Sequence, residues 1–204
     1  MWALVAQYFV MLVVVQAAWS SPYSIVQHAI SDLGAVTCGS FEGREVCSPW
    51  HVAANASWAV TGLCIALGAV LLWRLFAHDV RSRIGMALLV VAGLSEVLVG
   101  LNPEDTSALH VPAAIVTIVS GLVGILLVGS SLMSRPAWRR IGIAGVALGI
   151  IGLTATVVLI LTGLSPWFGL IERIAAYPIL LWVTFTGVAV VRRARAGRVA
   201  RYRS

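Results

Sequence analysis

The chain has 204 residues, of which 60% are hydrophobic and 11% charged, with a formal net charge of +6. A soluble domain carries roughly 25% charged residues, so the composition excludes a water-exposed globule. All fourteen basic residues are Arg, and they flank apolar runs instead of forming one polar face, which excludes a nucleic-acid-binding surface.

Six apolar runs recur, at roughly 2–19, 52–74, 84–101, 111–133, 141–163 and 174–191, each near the length of about twenty residues that a helix needs to span the hydrocarbon. They predict an all-α, polytopic fold: a six-transmembrane-helix bundle forming one domain over 1–191, followed by a basic cytoplasmic tail, 192–204. The first run, "MWALVAQYFVMLVVV", lacks a basic leader and reads as a span instead of a cleaved signal peptide. Arg74, Arg81 and Arg83 follow the second run, Arg135, Arg139 and Arg140 the fourth, and six more Arg the sixth. Under the positive-inside rule these clusters place both termini in the cytoplasm of a cell (plasma) membrane protein. Arg44 and Arg173 alone fall on the outer side.

In the first outer loop, "PYSIVQHAISDLG" (22–34) puts Ile25, Val26, Ala29, Ile30 and Leu33 on one helical face, and Ser24, His28, Ser31 and Asp32 largely on the other. It reads as a short interfacial helix ended by Gly34, with His28 and Asp32 within reach of each other. Further along this loop, Cys38 and Cys47 are expected to form a disulfide in an oxidising compartment, leaving Cys64 unpaired within the second span. Ser21–Pro22, Ser48–Pro49, Asn102–Pro103 and Ser165–Pro166 each read as an N-cap followed by a first helical Pro. Trp19, Trp50 and Trp167 sit near the same level, where an interfacial aromatic belt would lie.

The acidic residues gather at this outer end. Asp32, Glu42, Glu45, Glu96, Glu104, Asp105 and Glu172 belong to it, and only Asp79 is cytoplasmic. In the second span His51 and Asn55 share a face. Glu96 stands roughly 9 Å below the end of the third span at helical rise, where an ionisable group is costly unless paired or wet. Asn102, Glu104 and Asp105 are explained by a helix start, whereas His110, further in, is not. Glu172 and Arg173 open the sixth span with Tyr177 on the Arg173 face, and Arg173 is the expected counter-ion for Glu96, Glu104 or Asp105. A polar pocket lined by Asp32, Asn55, Glu96, Asn102, Glu104, Asp105, His110, Glu172, Arg173 and Tyr177 follows from these placements. In the fifth span, Gly145 and Gly149 mark a close-packing face, either within the bundle or toward a second copy or partner membrane protein.

The run "SDLG", then "SP" with Asn55 a short way on, then "VGLNPEDTSALH" and finally "ERI" resembles the bacterial and archaeal six-helix membrane proteins called domain of unknown function 998, over nearly the whole chain. The resemblance carries over Ser31, Asp32, Asn55, Pro103, Glu104, Asp105 and His110. His28 and His51 do not belong to that pattern. The family has no established activity, so it implies architecture and residue choice alone.

Three readings of function follow. The first expected role is binding, and by extension processing, of a lipid or lipid carrier in the outer-face pocket, with membrane lipids as partners and no cofactor. An intramembrane, zinc-dependent lipid hydrolase is the alternative. There His28, His51, His110 and Asp32 would be ligands, with Asp105, His110 and Ser31 as candidate catalytic groups. An accessory subunit whose polar layer only locks helices is the third. A channel or pump is least supported, because no span carries an ionisable residue in its inner half.

Overall fold

The computed structural model describes residues 1–20 and 22–201, the last five of these by backbone alone. Ser21, expected to cap, and the last three residues of the basic tail lie outside the described residues. A short 3-10 turn, Trp2–Ala6, runs into α1 (Gln7–Ala17); then come α2 (His51–Phe76), α3 (Val80–Leu101), α4 (His110–Leu132), α5 (Arg139–Thr162) and α6 (Phe168–Arg201). Five of these helices are long and apolar enough to cross a membrane, and Trp2–Ala17 is a shorter apolar helix packed among them. The chain is a multi-pass helical membrane protein with the predicted six-helix architecture.

Consecutive helices pack side by side, and α6 returns against Trp2–Ala6 to close a ring, with α5 held outside between α4 and α6. Apolar faces gain little by meeting each other in lipid, so close backbone approach and buried hydrogen bonds must hold such a ring. A Cβ on Gly62 or Gly93 would strike the opposite helix of the α2–α3 pair, and one on Gly129 or Gly142 would do so between α4 and α5. Gly145 and Gly149 face α4 and Trp182 within the chain. The Gln7 amide clamps α1 to α2, donating to Ser57 O at 3.0 Å and Thr61 Oγ1 at 2.7 Å and accepting from Ser57 Oγ at 2.9 Å. At the end carrying the Arg clusters, Trp2 stacks on Phe76 and leans on Trp182, and Phe76 meets the edge of Trp138. Trp2 Nε1 donates to Ile65 O at 3.0 Å and Trp182 Nε1 to Ile141 O at 2.9 Å, which lets the indoles be buried.

At the opposite end the 18–50 connection folds into the bundle mouth. Its helical part is a 3-10 turn, Ser31–Gly34, preceded by a turn at 25–27, and does not extend over the whole of 22–34. The reason is burial: Asp32, Leu33 and Gly34 are inside, so this segment plugs the mouth instead of floating on an apolar face. A hairpin follows, β1 (Gly39–Phe41) against β2 (Arg44–Val46), with Phe41 opposite Arg44. Glu42 and Gly43 turn it with φ of 49° and 78°, the twist that a two-residue hairpin favours. A Cys38–Cys47 disulfide closes it.

The expected caps differ. α2, α4 and α6 each begin later than the Pro predicted to open them. Ser48 Oγ donates instead to Leu33 O at 2.6 Å. Asn102 ends α3, its amide donating to Leu98 O at 2.8 Å. A side-chain cap does form on α3, at the Arg end: Asp79 accepts from Ser82 N at 2.7 Å and from Ser131 Oγ of α4 at 2.5 Å. The Ser131 hydroxyl and the Ser82 N–H hold this carboxyl down at about 2. A depressed pKa contributes stability above the unfolded value of about 3.9 and loses it as pH falls toward the folded one. Asp79→Ala should therefore lower the unfolding midpoint, costing about 1 kcal/mol near neutral pH. In thermal melts the deficit should shrink to nothing between about pH 4 and pH 2.

Candidate functional site

The plugged mouth contains backbone that no helix or sheet satisfies, and buried peptide groups need partners. Side chains supply them. Asp32, fully buried, accepts Ala29 N–H at 2.8 Å, and Glu172 accepts Ile30 N–H at 2.6 Å. Asn55 Nδ2 donates to Gly34 O at 2.8 Å. Asp105 takes Val36 N–H at 3.1 Å, and Thr37 N–H and Oγ1 each at 2.7 Å. Although partial burial works against it, these Thr37 and Val36 bonds hold the Asp105 carboxyl below its ordinary range.

Arg173 is the clearest departure from expectation. Among the described residues it forms no salt bridge with a carboxylate; instead Nη1 donates to the carbonyls of Ile25 (3.1 Å), His28 (2.9 Å) and Gly169 (2.8 Å), and Nη2 donates to the Tyr23 hydroxyl. The inturned 22–30 segment leaves those carbonyls without helical partners, and a guanidinium has enough donors to collect them. Gly169 permits the approach, since a Cβ there would strike His28 O. The counter-charge at this end is Arg44, which meets Asp32 bidentately, Nε to Oδ2 and Nη2 to Oδ1, both at 2.9 Å. Burial acts against the Arg44 charge, yet the hydrogen bond and charge of Asp32 raise its pKa overall.

The histidines do not converge. His28 Nδ1 accepts Ser24 N–H at 3.0 Å, and its ring stacks on Tyr23. His51 Nδ1 bonds Ser48 O at 2.9 Å. The ring of His110, buried in the first turn of α4, bonds Asn102 O at 2.7 Å and meets the edge of Trp58. Among the described residues no group of three or more His, Cys, Asp or Glu is placed to hold a metal ion. The proposed zinc ligands, His28, His51, His110 and Asp32, are instead each committed to hydrogen bonds within the chain.

What remains faces two neighbouring cavities that share part of their lining. A fore-chamber of about 410 Å³ lies between the hairpin, the 104–108 turn and the mouth ends of α4, α5 and α6. Glu42, Arg44, Glu104, Asp105, His110 and Glu172 supply its ionisable groups. Its flank is apolar: Val111 and Ile115 line it and are 59% and 55% exposed. An inner cavity of about 70 Å³ lies below, within the helix ring, bordered by Tyr8, Trp58, Glu96, Thr117, Ile179 and neighbours. Ser31, His110, Ala114, Ile118 and Glu172 border both cavities. Of the residues predicted to line one pocket, Glu104 and Asp105 border the fore-chamber, Glu96 the inner cavity, and His110 and Glu172 both. Asp32, Asn55, Asn102 and Arg173 hold the surrounding backbone, and Tyr177 packs edge-on against Tyr8 and Phe9. Arg44, Tyr8 and Trp58 were not anticipated. The "EG" turn between two Cys was the signal that could have pointed Arg44 back toward the bundle.

Glu104 is the strained member of the fore-chamber. Its Oε1 is buried without a hydrogen-bond partner. Burial first, and then the neighbouring Asp32 carboxyl, push the group well above its ordinary range. It therefore carries a proton where most carboxyls have lost theirs.

The model of the family described as protein of unknown function (DUF998) matches residues 3–189, and the chain belongs to that family. No curated protein and no solved structure matches it.

Two outcomes test the site's electrostatics. Arg44→Met strands the buried Asp32 charge and should cost about 3–5 kcal/mol. The double variant with Asp32→Asn should recover part of that loss in chemical unfolding. Glu104 has a raised folded pKa, so its contribution is complete below the unfolded value of about 4 and fades as pH rises through the folded one. The melting temperature of Glu104→Gln should thus fall less steeply than that of the unaltered chain between neutral and alkaline pH.

Proposed function

We propose that the chain is a lipid-binding membrane protein whose fore-chamber takes the head region of a lipid or lipid carrier at the outer face of the cell membrane. The observation carrying this reading is the mixed wall of the fore-chamber: ionisable groups on the hairpin side, and on the other side an exposed apolar strip of α4 that a surrounding lipid would touch directly. Its volume falls within the few hundred Å³ usual for small-ligand sites. A lipid needs this combination, because its head seeks hydrogen bonds while its chains stay in hydrocarbon.

The orientation follows from charge and redox chemistry. The Arg clusters at the far end belong on the cytoplasmic side, with both termini. The Cys38–Cys47 bridge belongs in an oxidising compartment. Most of the polar groups around the chamber are scaffold, which supports a preformed pocket: their hydrogen bonds fix the plug and leave a rim that need not reorganise on binding.

Lipid extraction and mass spectrometry on the purified full chain test this. About one lipid per chain should survive extensive detergent washing. Ala114→Trp, at a position that borders both cavities, should reduce retention about tenfold with the melting transition preserved. An unaltered chain that retains no lipid while still cooperatively folded defeats the reading.

A further inference from the structure

We infer that the inner cavity receives the ammonium group of an amine-bearing amphiphile, with its chain leading out through the fore-chamber into the lipid. This rests on the lipid-pocket reading above and narrows it to a charge class.

Glu96 is the starting point. It is surrounded by protein, keeps accessible surface, borders the inner cavity and has no hydrogen-bond or ion-pair partner among the described residues. A carboxylate at that depth is costly without a counter-charge or water. Glu172 borders the same cavity, with one oxygen already committed to Ile30 N–H. Both cations of the mouth are engaged elsewhere: Arg44 is held bidentately by Asp32, and the Nη groups of Arg173 by three backbone carbonyls and Tyr23. The cavity thus presents two acidic groups, Glu96 and Glu172, beside one basic side chain, His110, whose Nδ1 is already bonded to Asn102 O.

An anionic head, such as a phosphate, would enter against both carboxyls. A primary ammonium brings the missing charge together with three N–H donors. The Trp58 and Tyr8 rings border the same space, and aromatic rings beside carboxylates are a favourable lining for an organic cation. Size points the same way. About 70 Å³ holds a few water-sized groups, enough for an ammonium and its first carbons but not for a sugar. Ala114 and Ile118, both apolar, border the two cavities, and the fore-chamber reaches the exposed α4 strip, so a chain leaving past them would lie head in, chain out.

The test uses the full chain in maltoside micelles at neutral pH, titrated with dodecylamine, dodecanol and dodecyl phosphate, and read by native mass spectrometry and calorimetry. The amine should bind about tenfold more tightly than the alcohol, with the phosphate weakest. Glu96→Gln should weaken the amine about tenfold and leave the alcohol unchanged, which also reports that the variant is folded. The series on the unaltered chain stands even if the variant does not fold. Equal or tighter binding of the alcohol or phosphate, or amine binding indifferent to Glu96→Gln in a folded variant, overturns the amine assignment while the lipid pocket survives. If none of the three binds and no lipid is retained by the folded chain, both fall.

Discussion

A connection buried in the mouth of an apolar bundle must find partners for every peptide group it brings, and this requirement organises the protein. Residues 25–37 enter with only short turns, so local backbone bonds satisfy some of their N–H and C=O groups and leave the others to side chains. Asp32, Glu172 and Asp105 accept from the N–H groups, and Asn55, Ser48 and Arg173 donate to the carbonyls. Each unsatisfied group in such surroundings would cost a few kcal/mol. The Arg44–Asp32 pair ties this layer to the hairpin, so the plug, the disulfide and the helix ends form one hydrogen-bonded unit.

The same requirement explains why the chamber is polar without being an anion site. Positive charge at the mouth is consumed in holding backbone and Asp32. Acidic groups exceed what the plug needs, and the surplus, Glu104 and Glu96, faces space. Glu104 adapts by keeping a proton beside Asp32. Glu96 has no such neighbour. Acid without a hydrogen-bond partner among the described residues thus occurs at both levels, at Glu104 Oε1 in the fore-chamber and at Glu96 in the inner cavity.

The six apolar helices and the end on which acids gather were legible in the sequence, because apolar length and charge placement are local properties, although the first helix is shorter than the span expected of it. Which polar residue serves scaffold and which serves the cavity was not. Asn55, Asp105 and Arg173 are as conspicuous in the chain as Glu96, but their partners are carbonyls and N–H groups of a distant loop, and backbone groups leave no mark on composition. Arg44 was missed for a related reason: it looks like an exception to a topology rule until the Glu42–Gly43 turn directs it back onto Asp32. The amphipathic pattern of 22–34 promised a longer helix. Burial won instead, because Arg173 and Glu172 satisfy the opened backbone better than lipid headgroups could.

The two ends of the bundle are built for opposite tasks. At the Arg end, Trp2, Phe76 and Trp182 are almost completely buried, and their indole N–H groups are spent on helix carbonyls, so packing there is dense and dry. Asp79 and Ser131 close the same end by fastening the start of α3 to the end of α4. The inner cavity begins above this block, near Ile65 and Leu180, and opens upward past Glu172 and His110. A conduit would need the aromatic block to part, breaking several tertiary contacts and two buried indole hydrogen bonds together. A blind pocket needs nothing to move there. Binding from one face, as proposed, is the economical use of this architecture, and Glu96, in the upper part of the inner cavity above Ile65 and Leu180, would meet a ligand's head there.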